Sequence, residues 1–233
     1  MKKILSLLVI TAVALAIVST QAFASGKETE KVESATEALE EIMAIPETGI
    51  PPSLLRDAHG IAIIPSVIKV GFVLGGRYGR GILTVRGKDG RWSAPVFVSI
   101  AGGSVGWQIG AESTDVILVF KSGKSIDGIL NGKFTLGADA AVAAGPVGRR
   151  AEAATDEKLK AEIYSYSRNR GLFAGVSLEG SVLQIVDESN AAFYGKDKIR
   201  PREILDGDGI QVPAAAARLR KALAKHTVET IKD

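Results

Sequence analysis

Six arginines of this sequence stand close to glycines, and that combination is suited to binding phosphate groups. Guanidinium groups form paired hydrogen bonds with phosphate oxygens, and backbone amides left open by glycine bind the same oxygens. For any single arginine, the ordinary alternative is a solvated surface position. The candidates are Arg77 and Arg80 in GGRYGRG, Arg149 and Arg150 in GPVGRR, and Arg168 and Arg170 in SRNRG. A fourth basic cluster, from Arg218 to Lys225, lies near the C-terminus.

The glycine-rich stretches do not match the phosphate loops of nucleotide-binding enzymes. Neither G-x-x-x-x-G-K-[ST] nor G-x-G-x-x-G occurs, since Gly79-Arg80-Gly81 continues with Ile, Leu and Thr. The stretch RNRGLFAGVSLEG, residues 168–180, fits a bent strand better, because bare glycine positions let a strand curve or let another backbone approach. We therefore predict no nucleotide and no other cofactor.

Ser104 is a candidate nucleophile. The sequence GGSVG around it matches the G-x-S-x-G of α/β-hydrolases, and His226 follows downstream in the order of that fold. The motif requires a strand, a sharp turn and a helix, whereas the residues after Ser104 are strand-like. Ser66 and Lys69 form an S-x-x-K, but the partner motifs of a β-lactamase are missing. We predict a protein without enzymatic activity and keep a Ser104 hydrolase as an alternative.

Metal ligands are scarce in this sequence. It contains no cysteine and only two histidines, His59 and His226. The segment DGDG, residues 206–209, has two alternate carboxylates but lacks the rest of a calcium loop, and Asp-Gly pairs are common in turns. We predict no metal site, and disulfides are excluded.

The first 24 residues predict a secretory signal peptide. Lys2 and Lys3 precede an uncharged apolar run from Ile4 to Val18, and Ala22-Phe23-Ala24 supplies a cleavage site. The run is shorter than the roughly 20 residues that a membrane-spanning helix needs. We therefore expect cleavage after Ala24 and a periplasmic or secreted mature protein, with a single domain over residues 25–233.

The charge of the mature chain argues against nucleic-acid binding. Loss of the two leader lysines from the 29 basic residues leaves 27 against 26 acidic ones. Nucleic-acid-binding domains are usually strongly basic. A role for positive charge must therefore come from local clusters.

Helices are predicted near both ends of the mature chain. Residues 28–45 carry apolar side chains at three- and four-residue steps between glutamates, which predicts an amphipathic helix that ends before Pro46. Pro213 suits the first turn of a last helix. Ser53 and Thr155 are expected to cap two further helices.

The sequence between these helices is typical of short glycine-rich strands. The sequence contains 26 glycines and only 6% aromatic residues, and Asp89-Gly90 separates two strand-like runs as a hairpin turn does. We predict an α+β domain with a curved, mainly antiparallel glycine-rich sheet, an N-terminal amphipathic helix and a C-terminal helix. Closure of the sheet into a barrel is left open.

One internal match suggests a duplication. Windows that begin at Gly71 and Gly171 align at a constant offset, which places Gly75 on Gly175 and Leu83 on Leu183. The offset is even, so matched residues share a face of their strands. Only one window aligns, so a chance match between two glycine-rich strands stays open beside a duplication into two half-sheets.

The stretch YSYSRNRGLFAGVSLEGSVL resembles the SYLF family, a lipid-binding domain of bacterial exported proteins and of eukaryotic actin-associated and endosomal proteins. The likeness extends over nearly the whole mature chain. It includes LLRDAHGIAIIP, KVGFVLGGRYGRGIL, GRWSAPVFVSIAGGSVGWQIG, AAGPVGR, and NAAFYG with EIL.

The resemblance implies binding of acidic phospholipids, phosphoinositides in eukaryotic members, by an α+β domain without established enzymatic activity. No SH3 or FYVE domain is expected here, and an exported bacterial protein meets neither actin nor, normally, phosphoinositides. The actin-related role is therefore not carried over, and anionic bacterial phospholipids take the place of phosphoinositides.

The functional prediction is an exported bacterial protein that binds anionic lipid headgroups at a membrane surface. The predicted lipid-binding residues are Arg77, Arg80, Arg149, Arg150, Arg168 and Arg170. Replacing Arg149 and Arg150, or Arg168 and Arg170, by alanine is expected to weaken liposome binding and to leave the fold intact. The alternatives are a non-catalytic structural or protein-interaction module of the envelope and the Ser104 hydrolase.

Overall fold

A computed structural model of the protein describes most of the chain from residue 26 onwards. The described residues are 26–44, 50–145, 161–169, 172–175, 178–207 and 209–227. Within them, the helices are α1 (26–43), α2 (Pro52–Arg56), α3 (Gly123–Leu130), α4 (Asp187–Tyr194), α5 (Pro201–Asp206) and α6 (Ala214–Thr227). The strands are β1 (Gly60–Val85), β2 (Val96–Phe120), β3 (Phe134–Thr135), β4 (Val142–Ala144), β5 (Ile163–Asn169), β6 (Leu172–Gly175) and β7 (Val182–Ile185).

Strands β1 and β2 form one long antiparallel hairpin of 26 and 25 residues. Its turn is closed by a hydrogen bond from the backbone N of Gly87 to the carbonyl of Arg91 at 2.8 Å. Gly90 has a φ of +78°, which glycine adopts without steric cost. The predicted Asp89-Gly90 turn is confirmed. The prediction of several short strands is wrong here, because both strands continue through their internal glycines.

The hairpin folds back on itself, so that two arms of β1, residues 60–67 and 79–85, lie face to face. A Cβ built at Gly81 would lie 2.2 Å from the carbonyl oxygen of Ile63 and 2.5 Å from Cα of Ile64. Any side chain at this position would overlap the backbone of the other arm. The arms approach this closely because Gly81 has no side chain.

A second contact of the same kind lies nearer the middle of the hairpin. A Cβ built at Gly79 would lie 2.8 Å from Cγ2 of Val67. Between these two residues the ribbon turns back on itself. We call this part the β1–β2 bend: residues 68–80 of β1 with their register partners 99–113 of β2.

The two ends of the hairpin meet far from the bend. The backbone N of Arg86, beside the turn, donates to the carbonyl of His59, just before β1, at 2.8 Å. A Cβ built at Gly60 would lie 3.1 Å from the carbonyl oxygen of Thr84. The bend and the hairpin turn therefore lie at opposite ends of the folded hairpin.

Strand β2 connects the hairpin to the rest of the sheet. Strand β7 pairs with its residues 98–101 and β5 with its residues 115–120, both antiparallel. Strand β3 pairs with β7, β6 pairs antiparallel with β5, and β4 runs parallel to β5. The predicted curved, mainly antiparallel sheet in an α+β domain is confirmed.

The two windows of the internal match differ in structure. The window from Gly71 lies within the continuous strand β1. Its counterpart contains β6 and β7, separated by a turn in which Gly180 has a φ of +76°. The single bent strand predicted over residues 168–180 is therefore wrong, since its residues lie in β5, in the antiparallel β6 and in this turn, and the described strands form one sheet rather than two half-sheets.

The two largest hydrophobic cores of the described residues lie on opposite faces of the sheet. The first joins α1, α2, α4 and α6 to alternate residues of β1, β2 and β5. The second joins α3 and β3 to the intervening residues of β1 and β2. The predicted N- and C-terminal helices are thus both present and packed on the sheet.

Helix α1 buries the apolar stripe that predicted it. Val32, Ala35, Leu39 and Ile42 all have 0% exposed surface. Burial in the hydrophobic core therefore explains the apolar stripe of α1. The expected cap at Ser53 is wrong, because α2 begins at Pro52 and its N-cap is Pro51, and the expected cap at Thr155 lies outside the described residues.

Candidate functional site

The structure describes three of the six predicted lipid-binding arginines. Arg77 and Arg80 lie on β1, within the bend, and Arg168 lies on β5. Arg149, Arg150 and Arg170 lie outside the described residues, and their role in lipid binding stays a prediction.

Arg168 is bound by two carboxylates. Its Nη2 and Nε donate to Oδ2 of Asp115 at 2.7 and 3.1 Å, and its Nη1 forms an ion pair with Glu41 of α1. Only 23% of the Arg168 side chain and 15% of the Asp115 side chain are exposed. Arg168 therefore holds α1 and β2 against β5. The prediction that the fold stays intact when Arg168 is replaced by alanine does not include the loss of these contacts.

Asp115 also fixes an irregular point in β1. Its Oδ1 accepts a hydrogen bond from the backbone N of Ser66 at 2.9 Å. Ser66 has a φ of +55° and lies where the register between β1 and β2 shifts. A non-glycine residue in this conformation needs support from its surroundings. The Asp115 carboxylate supplies it, so the network joins four elements: α1, β1, β2 and β5.

The basic cluster of the last helix is also engaged in structural contacts. Arg218 pairs with Glu33 of α1, and Nε of Arg220 donates to the carbonyl of Trp92 at 2.7 Å. These contacts attach α6 to its neighbours.

Arg77 and Arg80 differ in their surroundings although both lie in the bend. Arg77 is half-buried, and burial lowers the pKa of its guanidinium from the usual value. Arg80 is exposed, and its Nε donates to Oη of Tyr78 at 3.2 Å. Of the described arginines among the candidates, Arg80 is the one most accessible to a headgroup.

Exposed apolar side chains share the face of Arg80. Ile68, Val70 and Tyr78 are 52%, 49% and 51% exposed, and they are the exposed large hydrophobic residues of the part of the chain that the structure describes. Each of the three is separated from Arg80 by an even number of positions along β1, so all four side chains lie on one face of the strand. Sequence reasoning missed them, since an apolar residue in a strand is normally read as core.

The neighbouring positions on β2 leave this face open. Tyr78 lies opposite Ala101 and Ile68 opposite Ser113, and both partners are exposed. The bend therefore carries an exposed arginine, an exposed tyrosine and two exposed aliphatic side chains, with small residues across the ribbon. A side chain that combines apolar area with a polar end, such as Tyr78, suits the boundary between water and an apolar phase.

The hydrolase alternative lacks its local geometry. The backbone of Ser104 lies within β2 and pairs with Gly75, so no strand-to-helix turn occurs at this residue. His226 lies in α6 and is partly buried, and this burial lowers the pKa of its imidazole. The described residues also hold no group of three or more side chains suited to binding a metal ion.

Comparison with known proteins places this chain in one family. A family model described as "Ysc84: Las17-binding protein actin regulator" matches residues 101–226. SH3 domain-containing YSC84-like protein 1 of Xenopus laevis is 42% identical over 183 residues, which cover 78% of this chain and 54% of that protein. Protein YSC84 of Saccharomyces cerevisiae is 42% identical over 177 residues, which cover 75% of this chain and 37% of the yeast protein.

A third relative, an SH3 domain-containing protein of Schizosaccharomyces pombe, is 44% identical over 177 residues, or 75% of this chain and 40% of that protein. The chain thus spans about half, or less, of the length of these relatives. Their names describe SH3-containing, YSC84-like proteins and name no enzymatic activity.

Proposed function

Because the chain belongs to the Ysc84 family, the family introduced above as SYLF, we propose that it is an exported protein that binds anionic phospholipid at a membrane surface. The observation that carries this proposal is the β1–β2 bend. There, exposed Arg80 stands beside exposed Tyr78 on a strand face that also carries Ile68 and Val70. Cations attract the lipid headgroups, and apolar side chains enter the layer beneath them.

Export rests on the leader sequence. The cleavage site at Ala24 predicts a mature chain that begins Ser25-Gly26. The intact mass of the protein, recovered from the periplasm or medium of the producing bacterium, is expected to match residues 25–233. A mass that includes Met1 would contradict export by this route.

None of the described helices combines the length and apolar composition that crossing a membrane requires.

Arg80→Ala is expected to weaken binding to vesicles of phosphatidylcholine and phosphatidylglycerol about fivefold. An arginine beside an anionic surface contributes about 1 kcal/mol, which corresponds to that factor. The effect should diminish as salt rises, because exposed charges are screened over about 8 Å at physiological ionic strength. The measurement is vesicle co-sedimentation at low and high salt.

The matched control is Arg91→Ala. Arg91 is 79% exposed and pairs with Asp89 in the hairpin turn, at the end of the hairpin opposite the bend. The Arg91→Ala variant removes the same charge as Arg80→Ala but should leave vesicle binding unchanged. Equal losses for the two variants would show that only net charge matters, and the bend would then not be the site.

A protein-interaction role is the second candidate, favoured by the description of the matched family as Las17-binding actin regulators. For this chain it would mean a peptide or protein ligand rather than a lipid. Pure lipid vesicles separate the two roles, since a protein-interaction module has no reason to co-sediment with them.

A further inference from the structure

We propose that the β1–β2 bend enters the membrane surface as a two-sided wedge, an inference that rests on the proposed lipid-binding function and names the part of the protein that inserts. The two arms of β1 face each other through Gly79 and Val67. Ile68 is next to Val67 and Tyr78 is next to Gly79, and successive side chains of a strand point to opposite faces. Ile68 and Tyr78 therefore point away from the contact between the arms. Because the strand folds back, its outer face forms two flanks of the bend, one beside the first arm with Ile68 and one beside the second arm with Tyr78.

The two-sided distribution of apolar side chains favours a lipid phase over a protein partner. Ile68 and Val70 are exposed on one flank and Tyr78 on the other. A flat protein surface, or a second copy of this chain, would cover one flank and leave the other in water. Lipid is fluid and surrounds an inserted wedge from both sides.

The charges of the bend agree with this orientation. The sequence of the bend contains Lys69, Arg77 and Arg80 but a single acidic residue, Glu112, so its net charge is positive. Arg80 follows Tyr78 towards the body of the protein, so its guanidinium and the Tyr78 hydroxyl lie at headgroup level when Ile68 and Val70 enter the acyl region.

The hydrogen bonding of the bend limits how deep it inserts. Strand β5 pairs with β2 only from Asp115 onwards and β7 only up to Ala101, so within the described residues the part of the bend that contains residues 102–113 of β2 is a two-stranded ribbon. Its outer backbone groups need water or headgroups as partners, because lipid-exposed sheet edges are not tolerated in the hydrocarbon core. Insertion is therefore shallow, about 5–10 Å into the boundary between headgroups and acyl chains.

The absence of cysteine from the sequence allows a direct test. A single cysteine introduced as Val70→Cys and labelled with the environment-sensitive dye NBD reports the polarity around the bend. The control is Lys88→Cys, an exposed position in the hairpin turn at the opposite end of the hairpin. Both proteins are mixed with vesicles of phosphatidylcholine and phosphatidylglycerol, and co-sedimentation is measured on the same samples.

Insertion predicts a blue-shifted, brighter NBD emission at position 70 and an unchanged emission at position 88. Doxyl groups near the headgroup end of the acyl chain should quench the label at position 70 more strongly than doxyl groups near the bilayer centre. Co-sedimentation without a change at position 70 would overturn the wedge and leave the proposed function standing. Absence of co-sedimentation would overturn both, and equal shifts at the two positions would show that the dye itself inserts.

A second variant tests the same inference without a label. Ile68→Ser with Val70→Ser should weaken vesicle binding about tenfold, because two half-exposed aliphatic side chains lose their transfer into lipid. Unlike the loss caused by Arg80→Ala, this loss should persist at high salt. An unchanged melting temperature confirms that the fold is retained. If the parent instead forms a dimer in solution that this variant abolishes, the apolar flank belongs to a protein interface and the wedge is wrong.

Discussion

Gly81→Ala is expected to destabilise the protein by about 3 kcal/mol or more, because the added methyl group overlaps backbone atoms. The new Cβ would lie 2.2 Å from the carbonyl oxygen of Ile63 and 2.5 Å from its neighbour's Cα. Both are backbone atoms of the opposing arm, so no side-chain rotation relieves the overlap. The arms must separate, and the two cores that they share must open with them. Urea unfolding measures the loss as a change in the free energy of unfolding.

Gly103→Ala is the matched control for this prediction. Gly103 lies in β2, in the same ribbon, and a Cβ built there meets no atom within 4 Å. Neither glycine has a φ in the left-handed region, so the two substitutions differ in space and not in backbone strain. The control should change the free energy of unfolding by less than about 0.5 kcal/mol. Equal urea midpoints for the two variants would contradict the face-to-face packing of the arms.

Asp115→Ala is expected to destabilise the protein by about 2–3 kcal/mol, because it takes one of two carboxylates from the partly buried Arg168 and removes the acceptor of the Ser66 backbone N. Arg168 would keep only Glu41, and the backbone N of Ser66 would lose the hydrogen bond that supports its positive φ. The free energy of unfolding of the variant measures this loss. The double variant with Arg168→Ala should lose less than the sum of the single losses, since both removals break the same interaction.

The control for this second prediction is Asp127→Ala. Asp127 forms an ion pair with Arg202, but the two side chains are 57% and 60% exposed. Pairs of this kind contribute less than about 1 kcal/mol. If Asp115→Ala cost no more than Asp127→Ala, the network around Arg168 would be an ordinary surface contact, and Arg168 would return to the group of arginines available to a headgroup.

The parts of the fold that the sequence predicts well are those fixed by local patterns. The three- and four-residue apolar spacing of α1 and the position of Pro213 before α6 are local signals, and so is Asp89-Gly90 at the hairpin turn. The continuity of β1 and β2 is not local. A glycine inside a strand pattern usually indicates a break, and only the contact of Gly81 with Ile63 and Ile64 shows that these glycines serve close packing.

The candidate site likewise has features that the local sequence predicts and features that depend on contacts between distant residues. Sequence reasoning selected arginines near glycines, and the structure places Arg80 on an exposed face as that reasoning requires. It could not separate Arg168 from this group, because Asp115 lies 53 residues away and meets it only through strand pairing. Nor could it select Tyr78 and Ile68, since their exposure follows from the bend, where no other described element covers this face of the ribbon.

Flotation of the protein, produced as residues 25–233, with pure lipid vesicles tests the central claim most directly. The protein is mixed with vesicles of phosphatidylcholine alone and with vesicles that also contain phosphatidylglycerol, at low and at high salt. Lipid binding through a basic and apolar bend predicts strong flotation with the anionic vesicles at low salt, a reduced but measurable fraction at high salt, and weak flotation with the neutral vesicles. A folded protein that stays at the bottom of the gradient with anionic vesicles at low salt would contradict the account.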